Sequence, residues 1–407
     1  MFHGEYEINI MTPVSLPQIE IDNLIKLFSK GRMQESIDKI QVLDINYPNI
    51  PFLFNMLGAC HKNLGNLALA TKFFEHAISL KPDYAEGHYN LGVTLKQDGQ
   101  LIAAVESYKK SIALLPDYAD AHNNLGTALS ALGQKEDAIK CYEKVIAINP
   151  NYAEAHYNLG SILKGLGKLE AAIKSFETAL IINPNYDEAK HFLNGLIGYT
   201  SKAPPRKYVE KLFNGFAEKF NDSLLNKLEY SLPFLVNEII LNLSAERKIF
   251  DKVIDLGCGT GISGKGLKAL SGNLTGIDLS EKMIAKAKEL NVYDSLIVGD
   301  IVEILSSSKG KYDLLIALDV LIYIGEVKAL FKTVRSCCNI NAFFIFSVET
   351  KVGDGYSLLK TARYSHSENY ILNSASEDFN LIESQEIKLR KENEGWILGK
   401  IYIFQAS

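Results

Sequence analysis

Cysteine and tryptophan are scarce in this chain of 407 residues, and its 43 basic residues do not exceed its 48 acidic ones. It has one tryptophan and five cysteines, and no two cysteines have the CxxC spacing of a zinc or redox site. The net charge of -5 argues against nucleic acid and against an anionic membrane as partners. No apolar run approaches the roughly 18 residues needed to cross a bilayer. Residues 1–21 have early acids and two prolines, unlike a signal peptide. We therefore expect a cytoplasmic protein without a metal site.

Several residue types recur every 34 positions in the first half of the chain. They are the prolines Pro48, Pro82, Pro116, Pro150 and Pro184, the glycines Gly58, Gly92, Gly126 and Gly160, and the alanines Ala70, Ala104, Ala138 and Ala172. A period of 34 with a Leu-Gly pair, an Ala-x-x-x-Phe/Tyr segment and a proline is typical of tetratricopeptide repeats. Each repeat is two antiparallel helices, in which an aromatic ring fills the gap left by small residues.

The repeat pattern predicts the limits of the first domain. We place full repeats at 51–84, 85–118, 119–152 and 153–186, and a weaker one at 17–50, after an N-terminal arm at 1–16. A helix over 187–199 is predicted to cap the array, because a solenoid must cover its terminal apolar face. The array then spans 17–199. Paired prolines end the periodicity in a linker at 200–206, and the second domain takes 207–407.

Two polar residue types keep the same period on the first helix of the central repeats. They are the histidines His88, His122 and His156, and the asparagines Asn90, Asn124 and Asn158. Packed helices lie about 8 to 10 Å apart, too far for equivalent histidines to share a metal ion, so we expect these to pack within the array. An amide offers both a donor and an acceptor. The asparagines are therefore either solvated residues or a ladder on the concave face that grips an extended peptide, as in arrays resembling those of O-GlcNAc transferase.

The second half opens on the segment VIDLGCGTG at residues 253–261. An apolar strand leads into Gly257, Gly259 and Gly261, and a helix-compatible segment follows, which predicts a strand, a glycine turn and a helix. Glycines let the backbone turn tightly, and free N–H groups with the positive end of a helix favour an anionic ligand. Since Gly259, Gly261 and Gly264 also satisfy GxGxxG, a nicotinamide cofactor stays open at this point.

Acidic residues stand at the ends of four predicted strands: Asp255, Asp278, Asp300 and Asp319. The carboxyl ends of parallel strands form the edge where open sheets bind ligands, and a carboxylate such as Asp278 can accept hydrogen bonds from both ribose hydroxyls. The last two strand-like runs, 381–387 and 397–404, are joined by a short polar connection containing Asn393 and Glu394. A parallel crossover needs a dozen residues or more, so these two strands must be antiparallel. A wholly parallel dinucleotide fold does not end in this way.

This arrangement resembles the class I S-adenosylmethionine-dependent methyltransferases, whose first motif is an acidic residue followed by GxGxG. The resemblance implies a Rossmann-like seven-stranded domain with a terminal antiparallel hairpin, and S-adenosylmethionine as cofactor. It places the glycine turn under the methionine part, Asp278 on the ribose, and Asp300 with Ile301 beside the adenine. The implied cofactor residues are Asp255, Gly257, Cys258, Gly259, Gly261, Asp278, Leu279, Met283, Asp300, Ile301 and Asp319.

From about Ala203 to the C-terminus the chain also resembles bacterial predicted methyltransferases fused to tetratricopeptide repeats. The similarity lies in the runs LFNGFAEKFNDSLLNKLEYSLP at 212–233, FSVE at 346–349, ARYSHS at 362–367 and LRKE at 389–392. In class I methyltransferases the helices before the first strand roof the cofactor and substrate. The resemblance therefore implies substrate contacts for the aromatic residues Tyr208 and Phe216, unless this aromatic stripe is ordinary core.

Catalytic residues are expected after the fourth and fifth strands. The sulfonium methyl is already activated, so transfer needs mainly alignment, with a general base adding perhaps 10² to 10⁴ in rate. Residues 319–324 lack the (Asn/Asp/Ser)-Pro-Pro-(Tyr/Phe) clamp of enzymes that methylate planar amino groups. The candidates are His366 as base, Tyr323 and Tyr370 as further catalytic residues, and Arg363 with Tyr364 for substrate binding. The alternative is a surface loop with satisfied side chains.

The sequence thus predicts an α plus α/β protein: an α-solenoid of tetratricopeptide repeats followed by a class I methyltransferase domain. We expect methyl transfer from S-adenosylmethionine to an oxygen or nitrogen. The concave face of the repeats would recruit a protein or peptide that is the acceptor itself, or a partner while the acceptor is a small molecule. Two other readings stay open: a scaffold with a non-catalytic cofactor domain, and a nicotinamide-dependent oxidoreductase.

Overall fold

The structure is a computed structural model that describes residues 15–243, 249–308, 310–392 and 395–407. Most of the predicted N-terminal arm, residues 1–14, lies outside the described residues, as do Asn393 and Glu394 of the predicted hairpin connection. The chain divides into two compact units, Met1–Asn183 and Pro184–Ser407. Among the helices in the described ranges, none combines the length and apolar character that crossing a membrane requires.

The first unit is built from ten helices within its described residues. They are α1 Gln18–Ser29, α2 Met33–Asn46, α3 Pro51–Asn63, α4 Leu67–Leu80, α5 Ala85–Gln97, α6 Leu101–Leu114, α7 Ala119–Ala131, α8 Lys135–Ile148, α9 Ala153–Gly165 and α10 Leu169–Ile182. Consecutive helices pair as α3 with α4, α5 with α6, α7 with α8 and α9 with α10. Residues 17–50 form the weaker fifth pair, α1 and α2, in which Ile40 is fully buried at the position held by an aromatic ring elsewhere.

Each full repeat has its helix pair closed by one glycine and one aromatic ring. A Cβ added at Gly58 would lie 2.7 Å from the ring of Phe74, and a Cβ at Gly92 would lie 2.7 Å from the ring of Tyr108. The same relation holds for Gly126 with Tyr142 and for Gly160 with Phe176. No real Cβ tolerates such an approach, so the Leu-Gly pair of the repeat is a packing requirement. The predicted role of the small residues is confirmed.

The second unit begins with helices and continues as alternating strands and helices. The helices are α11 Asp187–Ile197, α12 Arg206–Phe216, α13 Phe220–Asp222, α14 Leu232–Leu243, α15 Gly264–Ala269, α16 Glu281–Glu289, α17 Ile301–Ser307, α18 Lys328–Ser336 and α19 Glu368–Ala375. The strands are β1 Phe250–Leu256, β2 Ser271–Asp278, β3 Ser295–Val298, β4 Tyr312–Ala317, β5 Cys338–Thr350, β6 Tyr356–Leu358, β7 Tyr364–His366, β8 Phe379–Glu392 and β9 Gly395–Ala406.

The strands form one mixed sheet. Its parallel part runs in the order β3-β2-β1-β4-β5, and β9 pairs antiparallel with both β5 and β8. These seven strands are the predicted methyltransferase sheet with its terminal hairpin, which is confirmed. The short strands β6 and β7 are an addition beside β5 that the sequence did not predict. Residues Phe344, Phe346 and Phe404 are fully buried in the core on one face of the sheet.

The predicted capping helix α11 belongs to the second compact unit, because the units divide at Asn183 rather than at residue 199. His191 on this helix donates from Nε2 to the carbonyl oxygen of Ala362, at 3.1 Å. A Cβ added at Gly195 would lie 2.6 Å from the carbonyl oxygen of Leu359, so the helix and the segment before β7 are in backbone contact. The domain limits read from the sequence stay a prediction, but α11 is packed as a part of the second unit.

Residues 200–206, predicted as a linker, are bonded to the second unit. The carbonyl oxygen of Lys202 accepts hydrogen bonds from the N–H groups of Gly325 and Glu326, both at 2.9 Å. The Ser201 hydroxyl lies 2.7 Å from that of Tyr364. This segment therefore contacts the loop after β4 and the start of β7. The predicted catalytic residues lie in the same part of the chain.

Candidate active site

The turn after β1 has the backbone that its glycines require. Gly257, Gly259 and Gly261 have φ values of +72°, +54° and +83°, a region that other residues rarely enter. A Cβ added at Gly257 would lie 2.4 Å from Cγ2 of Val320, so the turn and the residues after β4 are in direct contact. The turn places the ends of β1 and β4 side by side at the carboxyl edge of the sheet.

Tyr293 packs against the glycine turn, a contact that the sequence did not predict. A Cβ added at Gly264 or at Gly276 would lie 2.7 or 2.9 Å from its ring. Its hydroxyl donates to Oδ2 of Asp255 at 2.8 Å. Asp255 is only 3% exposed, and burial raises the pKa of its carboxyl to about 7 although Tyr293 lowers it. Asp255 therefore anchors the turn and presents almost no surface to a ligand.

Asp278 stands at the end of β2 and is bonded to backbone N–H groups. Its Oδ2 accepts from Gly259 at 2.9 Å and its Oδ1 accepts from Ser280 at 2.8 Å. Burial raises the pKa of this carboxyl, while the backbone donors lower it. The N–H of Leu279 is a third backbone donor to this carboxylate. Since each carboxylate oxygen can accept two hydrogen bonds, acceptor capacity remains for a ribose hydroxyl.

Asp300 caps the helix that follows β3. Its Oδ1 accepts from the N–H groups of Val302 and Glu303, at 2.9 and 3.1 Å, in the manner of an N-cap residue. Because both bonds end on Oδ1, Oδ2 remains available as an acceptor. Ile301 beside it is half-buried, as expected of a residue that lines a flat ring.

A helical cover lies over the glycine turn. We define it as α12, the 3₁₀ turn Ala217–Lys219, α13 and the π turn Ser223–Lys227. Phe220 lies against the turn, since a Cβ added at Gly259 would be 3.4 Å from its ring. Asn221 accepts a hydrogen bond from the Thr260 hydroxyl at 2.5 Å, and Asn214 accepts one from the Ser280 hydroxyl at 2.7 Å. The cover is thus attached to residues that follow both β1 and β2.

A charged cluster occupies the same edge of the sheet beyond β4 and β5. We give this name to Asp319, Glu349, Arg363, Arg390 and Glu392. Arg390 is 3% exposed and donates to Glu349, to Glu392 at 2.8 Å and to Asp319 at 3.4 and 3.5 Å. Arg363 pairs with Glu392 and, at 3.6 Å, with Glu349. The guanidinium groups are therefore occupied by carboxylates of the chain itself.

The register of the terminal hairpin explains how Arg390 reaches this position. Lys388 pairs with Leu398 and Arg390 pairs with Ile397, so β8 carries one extra residue, a β-bulge. In a regular strand neighbouring side chains point to opposite faces, whereas both Leu389 and Arg390 are buried here. Alternation alone would not predict this, and the sequence analysis gave neither Arg390 nor Glu392 a role.

Aromatic side chains connect the cover with the charged cluster. The ring of Phe213 packs edge-on against Tyr323, with centroids 5.2 Å apart, and also against Phe220 at 6.2 Å. Tyr323 is half-buried and its hydroxyl bonds with Arg363. Burial raises the pKa of Tyr323, so it is a neutral hydroxyl at physiological pH. Of the three predicted catalytic residues, Tyr323 lies next to the cluster.

His366 needs correction, because it is fully buried. Its Nε2 lies 2.9 Å from the carbonyl oxygen of Ile324 and 3.1 Å from that of Gly325, so it donates to the loop after β4. Burial lowers the pKa of the imidazole to about 4, although these carbonyls raise it. A side chain with no exposed surface cannot take a proton from an acceptor. His366 holds the loop that carries Tyr323.

Two further predicted contact residues do not fit the structure, and the side chains of two other predicted site residues are engaged by neighbouring groups. Met283 and Tyr364 are fully buried, so no surface is left for a ligand. The Tyr370 hydroxyl accepts from the N–H of Val327 at 3.2 Å, and its ring stacks on buried His366. The ring of Tyr208 packs on the rings of α11, at 5.3 Å from both neighbours.

Phe216 is 49% exposed on the cover, and the structure shows no contact of it with the turn among the described residues. The aromatic contact with the glycine turn is made by Phe220. Cys258 lies in the turn but is 7% exposed, and Leu279 is half-buried beside Asp278. Helical spacing therefore indicated an aromatic face but could not select the ring that reaches the turn.

In the first unit, the repeated asparagines bond to the preceding repeat. Asn90 donates to Asn55 at 3.0 Å, and Asn158 donates to Asn123 at 3.2 Å. Asn124 donates to Tyr89 at 3.1 Å. All three amides are half-buried and link neighbouring first helices, a structural role that the sequence did not resolve. The repeated histidines His88, His122 and His156 lie 2.9 to 3.1 Å from the carbonyl oxygens of Pro82, Pro116 and Pro150.

Comparisons with known protein families match both halves of the chain. Residues 253–340 match a methyltransferase domain, and residues 53–84, 73–106, 95–133, 126–167 and 153–186 match tetratricopeptide repeats. A comparison with curated proteins finds no match. The matched segments contain the 34-residue period and the glycine turn from which the sequence analysis argued.

Solved structures resemble each half separately. MamA is 26% identical over 42% of this chain and 97% of its own, with a TM-score of 0.38. The N-methyltransferase NodS from Bradyrhizobium japonicum, solved with S-adenosyl-L-homocysteine, is 16% identical over 42% of this chain and 85% of its own (TM-score 0.35). Magnesium protoporphyrin IX methyltransferase ChlM from Synechocystis PCC 6803, also with S-adenosylhomocysteine, is 22% identical over 50% of this chain and 99% of its own (TM-score 0.39).

The residues around the turn fit S-adenosylmethionine. The glycines keep the backbone of the turn free of Cβ atoms, Asp278 retains acceptor capacity for the ribose, and Asp300 retains Oδ2 for the adenine amine. When bound, this cofactor supplies an activated methyl group. The chain therefore combines tetratricopeptide repeats with a segment, residues 253–340, that matches a methyltransferase domain.

Proposed function

We propose that the protein methylates a nitrogen or oxygen of an acceptor held between the helical cover and the charged cluster. The observation that carries the proposal is that two groups of residues meet at one sheet edge. The glycine turn touches Val320, the residue directly after Asp319. The cofactor residues on β1, β2 and β3 and the charged residues on β4, β5 and β8 therefore lie on neighbouring parts of the edge.

The chain's own residues have separate tasks in this proposal. Asp278 and Asp300 bind the nucleoside, and the ring of Phe220 covers the turn. Phe213 and Tyr323 line the side toward the acceptor and exclude water from it. Because alignment alone supplies roughly 7 to 11 kcal/mol of the lowering of the barrier, most of the catalytic effect would come from this positioning.

The repeat array is proposed to dock a polypeptide, which is either the acceptor or a partner that presents it. The match to tetratricopeptide repeats supports this. The amides of Asn90, Asn124 and Asn158 already bond within the array, so a peptide ladder would use their remaining acceptor and donor positions. To test this, the protein is incubated with methyl-labelled cofactor and cell extract. Label in macromolecules would indicate a polypeptide acceptor, and label in metabolites a small-molecule acceptor.

The cofactor role is tested by calorimetry with S-adenosylhomocysteine. The wild-type protein is expected to bind, and Asp278→Ala should lose most of the affinity because the ribose acceptor goes. Glu281→Ala, on the exposed start of α16, is the matched control and should bind as the wild type does. Absence of binding by the pure wild-type protein would favour a scaffold with a non-catalytic domain. An unchanged dissociation constant in Asp278→Ala would contradict its ribose role.

A further inference from the structure

The charged cluster carries more negative than positive charge. Asp319, Glu349 and Glu392 are three carboxylates opposite the two guanidinium groups of Arg363 and Arg390, which leaves one negative charge when all are ionised. Their side chains are 3 to 23% exposed. A buried charge without a partner is expensive unless a counter-charge reaches it. With all five groups ionised, an added cation would balance this charge.

The unbalanced charge lies mainly on Asp319. Glu349 and Glu392 take close hydrogen bonds from Arg390, whereas its two hydrogen bonds to the oxygens of Asp319 are long, at 3.4 and 3.5 Å. Asp319 also has φ of +56°, a conformation that costs a non-glycine residue free energy. Its N–H is fixed by the hydroxyl of Ser347 at 2.9 Å. The fold thus holds this carboxylate in a strained position beside the glycine turn.

A second group in the same place has no partner. Tyr230 is 7% exposed, and its hydroxyl has no hydrogen bond to any residue that the structure describes. Tyr230 packs in the same buried cluster as Leu318 and Leu389, the chain neighbours of Asp319 and Arg390. Burial raises the pKa of this phenol well above 10, so the hydroxyl is neutral. Because the side chain is buried while its hydroxyl oxygen is not fully enclosed, a ligand atom can reach this hydroxyl and form a hydrogen bond with it.

We propose that the acceptor atom is the nitrogen of an aliphatic amine, which enters as an ammonium group and is bound by the Asp319 carboxylate and the Tyr230 hydroxyl. This rests on the methyltransferase function proposed above. Carboxylate and phosphate acceptors are disfavoured because Arg363 and Arg390 are already paired within the chain. Planar amides and bases are disfavoured because residues 319–324 lack the (Asn/Asp/Ser)-Pro-Pro-(Tyr/Phe) clamp.

The proposed step conserves charge and protons. The ammonium group gives one proton to the Asp319 carboxylate, whose pKa is raised by burial and lowered by Arg390. The nitrogen lone pair then forms the bond to the methyl carbon, and the carbon–sulfur bond breaks with its electron pair remaining on sulfur. The products are a methylated ammonium group and a neutral thioether. Asp319 afterwards releases its proton to water.

One experiment measures ligand binding without turnover. The full-length protein, saturated with S-adenosylhomocysteine, is unfolded thermally with n-butylamine, n-butanol or sodium butyrate present at equal concentration and constant ionic strength. The fluorescence of Trp396, the only tryptophan, reports on the second unit. Butylamine, protonated at neutral pH, is expected to raise the midpoint by several degrees. The proposal is overturned if butyrate or butanol raises the midpoint instead, or if none of the three compounds raises it.

Three variants locate the binding. Asp319→Asn and Tyr230→Phe, which keep the size of the side chain, should lose most of the butylamine effect. Glu326→Gln changes the same charge on an exposed residue after β4 and should retain it. Asp319→Asn must still bind S-adenosylhomocysteine. If it does not, Asp319 belongs to the cofactor site, as the sequence analysis first placed it, and the amine proposal is overturned.

The chemistry of the labelled product gives an independent readout. Cell extract is incubated with the protein and methyl-labelled cofactor. An N-methylated amine stays on a cation exchanger and survives alkali, a methyl ester releases labelled methanol in alkali, and a methyl ether does neither. We expect the first result, with transfer reduced about 100-fold or more in Asp319→Asn. Ester or ether products contradict the amine acceptor, whereas absent cofactor binding would contradict the proposed function itself.

Discussion

Removing the guanidinium group of Arg390 is the sharpest test of the charged cluster. Arg390→Met keeps the length of the aliphatic stem but leaves Asp319, Glu349 and Glu392 with only Arg363 as counter-charge. Breaking a buried pair by removing one partner costs about 3 to 5 kcal/mol of unfolding free energy, because the remaining charge stays buried. The side chains of Arg390 and Glu349 are 3% and 5% exposed, so solvent offers little compensation. We expect a loss in this range.

The assay is urea unfolding followed by the fluorescence of Trp396. This residue pairs with Lys391 on β8, next to Arg390, so its signal reports on the hairpin and is not mixed with unfolding of the first unit. A second prediction concerns pH. Without Arg390 the carboxylates of the folded state bind protons more readily than those of the unfolded chain. Lowering the pH from about 7.5 to about 5.5 should therefore reduce the difference in unfolding free energy between the variant and the wild type.

The control is Arg206→Met, which removes the same charge from a surface pair with Glu303. Both side chains of that pair are about half exposed or more, so the expected cost is at most about 1 kcal/mol. The cluster would not be a buried ionic network if Arg390→Met lowered the free energy of unfolding by no more than this control does. The same would follow if the difference in unfolding free energy from the wild type did not depend on pH. Asp319 would then carry no unbalanced charge that an amine could neutralise.

Other predictions concern the turn and the array. The pKa of Asp255 is raised from 3.8 to about 7, so the folded state keeps this proton where the unfolded chain has lost it, and stability falls as pH rises from about 4 to about 7. Relative to Asp255→Asn, the wild type should lose up to roughly 4 kcal/mol between about pH 4 and 8, and parallel urea-unfolding curves would refute this. Gly257→Ala should abolish cofactor binding in calorimetry. Gly353 has φ of +88° but nothing within 4 Å of an added Cβ, so Gly353→Ala should lower the free energy of unfolding by only about 1 to 2 kcal/mol. Asn158→Ala should destabilise the array by about 1 to 3 kcal/mol in thermal unfolding by circular dichroism, because Asn123 loses its donor; no change would favour a ligand role.

The predicted fold depended on short-range patterns, and these were sufficient for the main architecture. A 34-residue period needs only local helix pairs, and the contact of Gly92 with the ring of Tyr108 shows why the pattern is strict. The antiparallel terminal hairpin followed from the shortness of its connection. The strands β6 and β7 were missed because each has three residues, too few for periodicity to indicate.

The candidate site could be predicted only in part, because burial is a property of the folded chain. His366 and Tyr364 stand in a polar run that reads as a loop facing an acceptor, yet both are fully buried against the segment after β4 and the linker. Tyr293 carried no motif, although its ring decides where Gly264 and Gly276 must lack a Cβ. No rule of sequence spacing identifies a ring that packs against a turn more than thirty residues earlier in the chain.

The two sides of the site differ in how the chain builds them, and this explains what the sequence reveals. The residues assigned to the nucleoside lie in a continuous stretch from β1 to the start of α17, so a local motif identifies the cofactor. The charged cluster joins Asp319 to Arg390, 71 positions apart, through a bulge in the terminal hairpin. Contacts of that range leave no short signature. The identity of the acceptor therefore has to be argued from the balance of buried charge, and the excess carboxylate at Asp319 favours an amine.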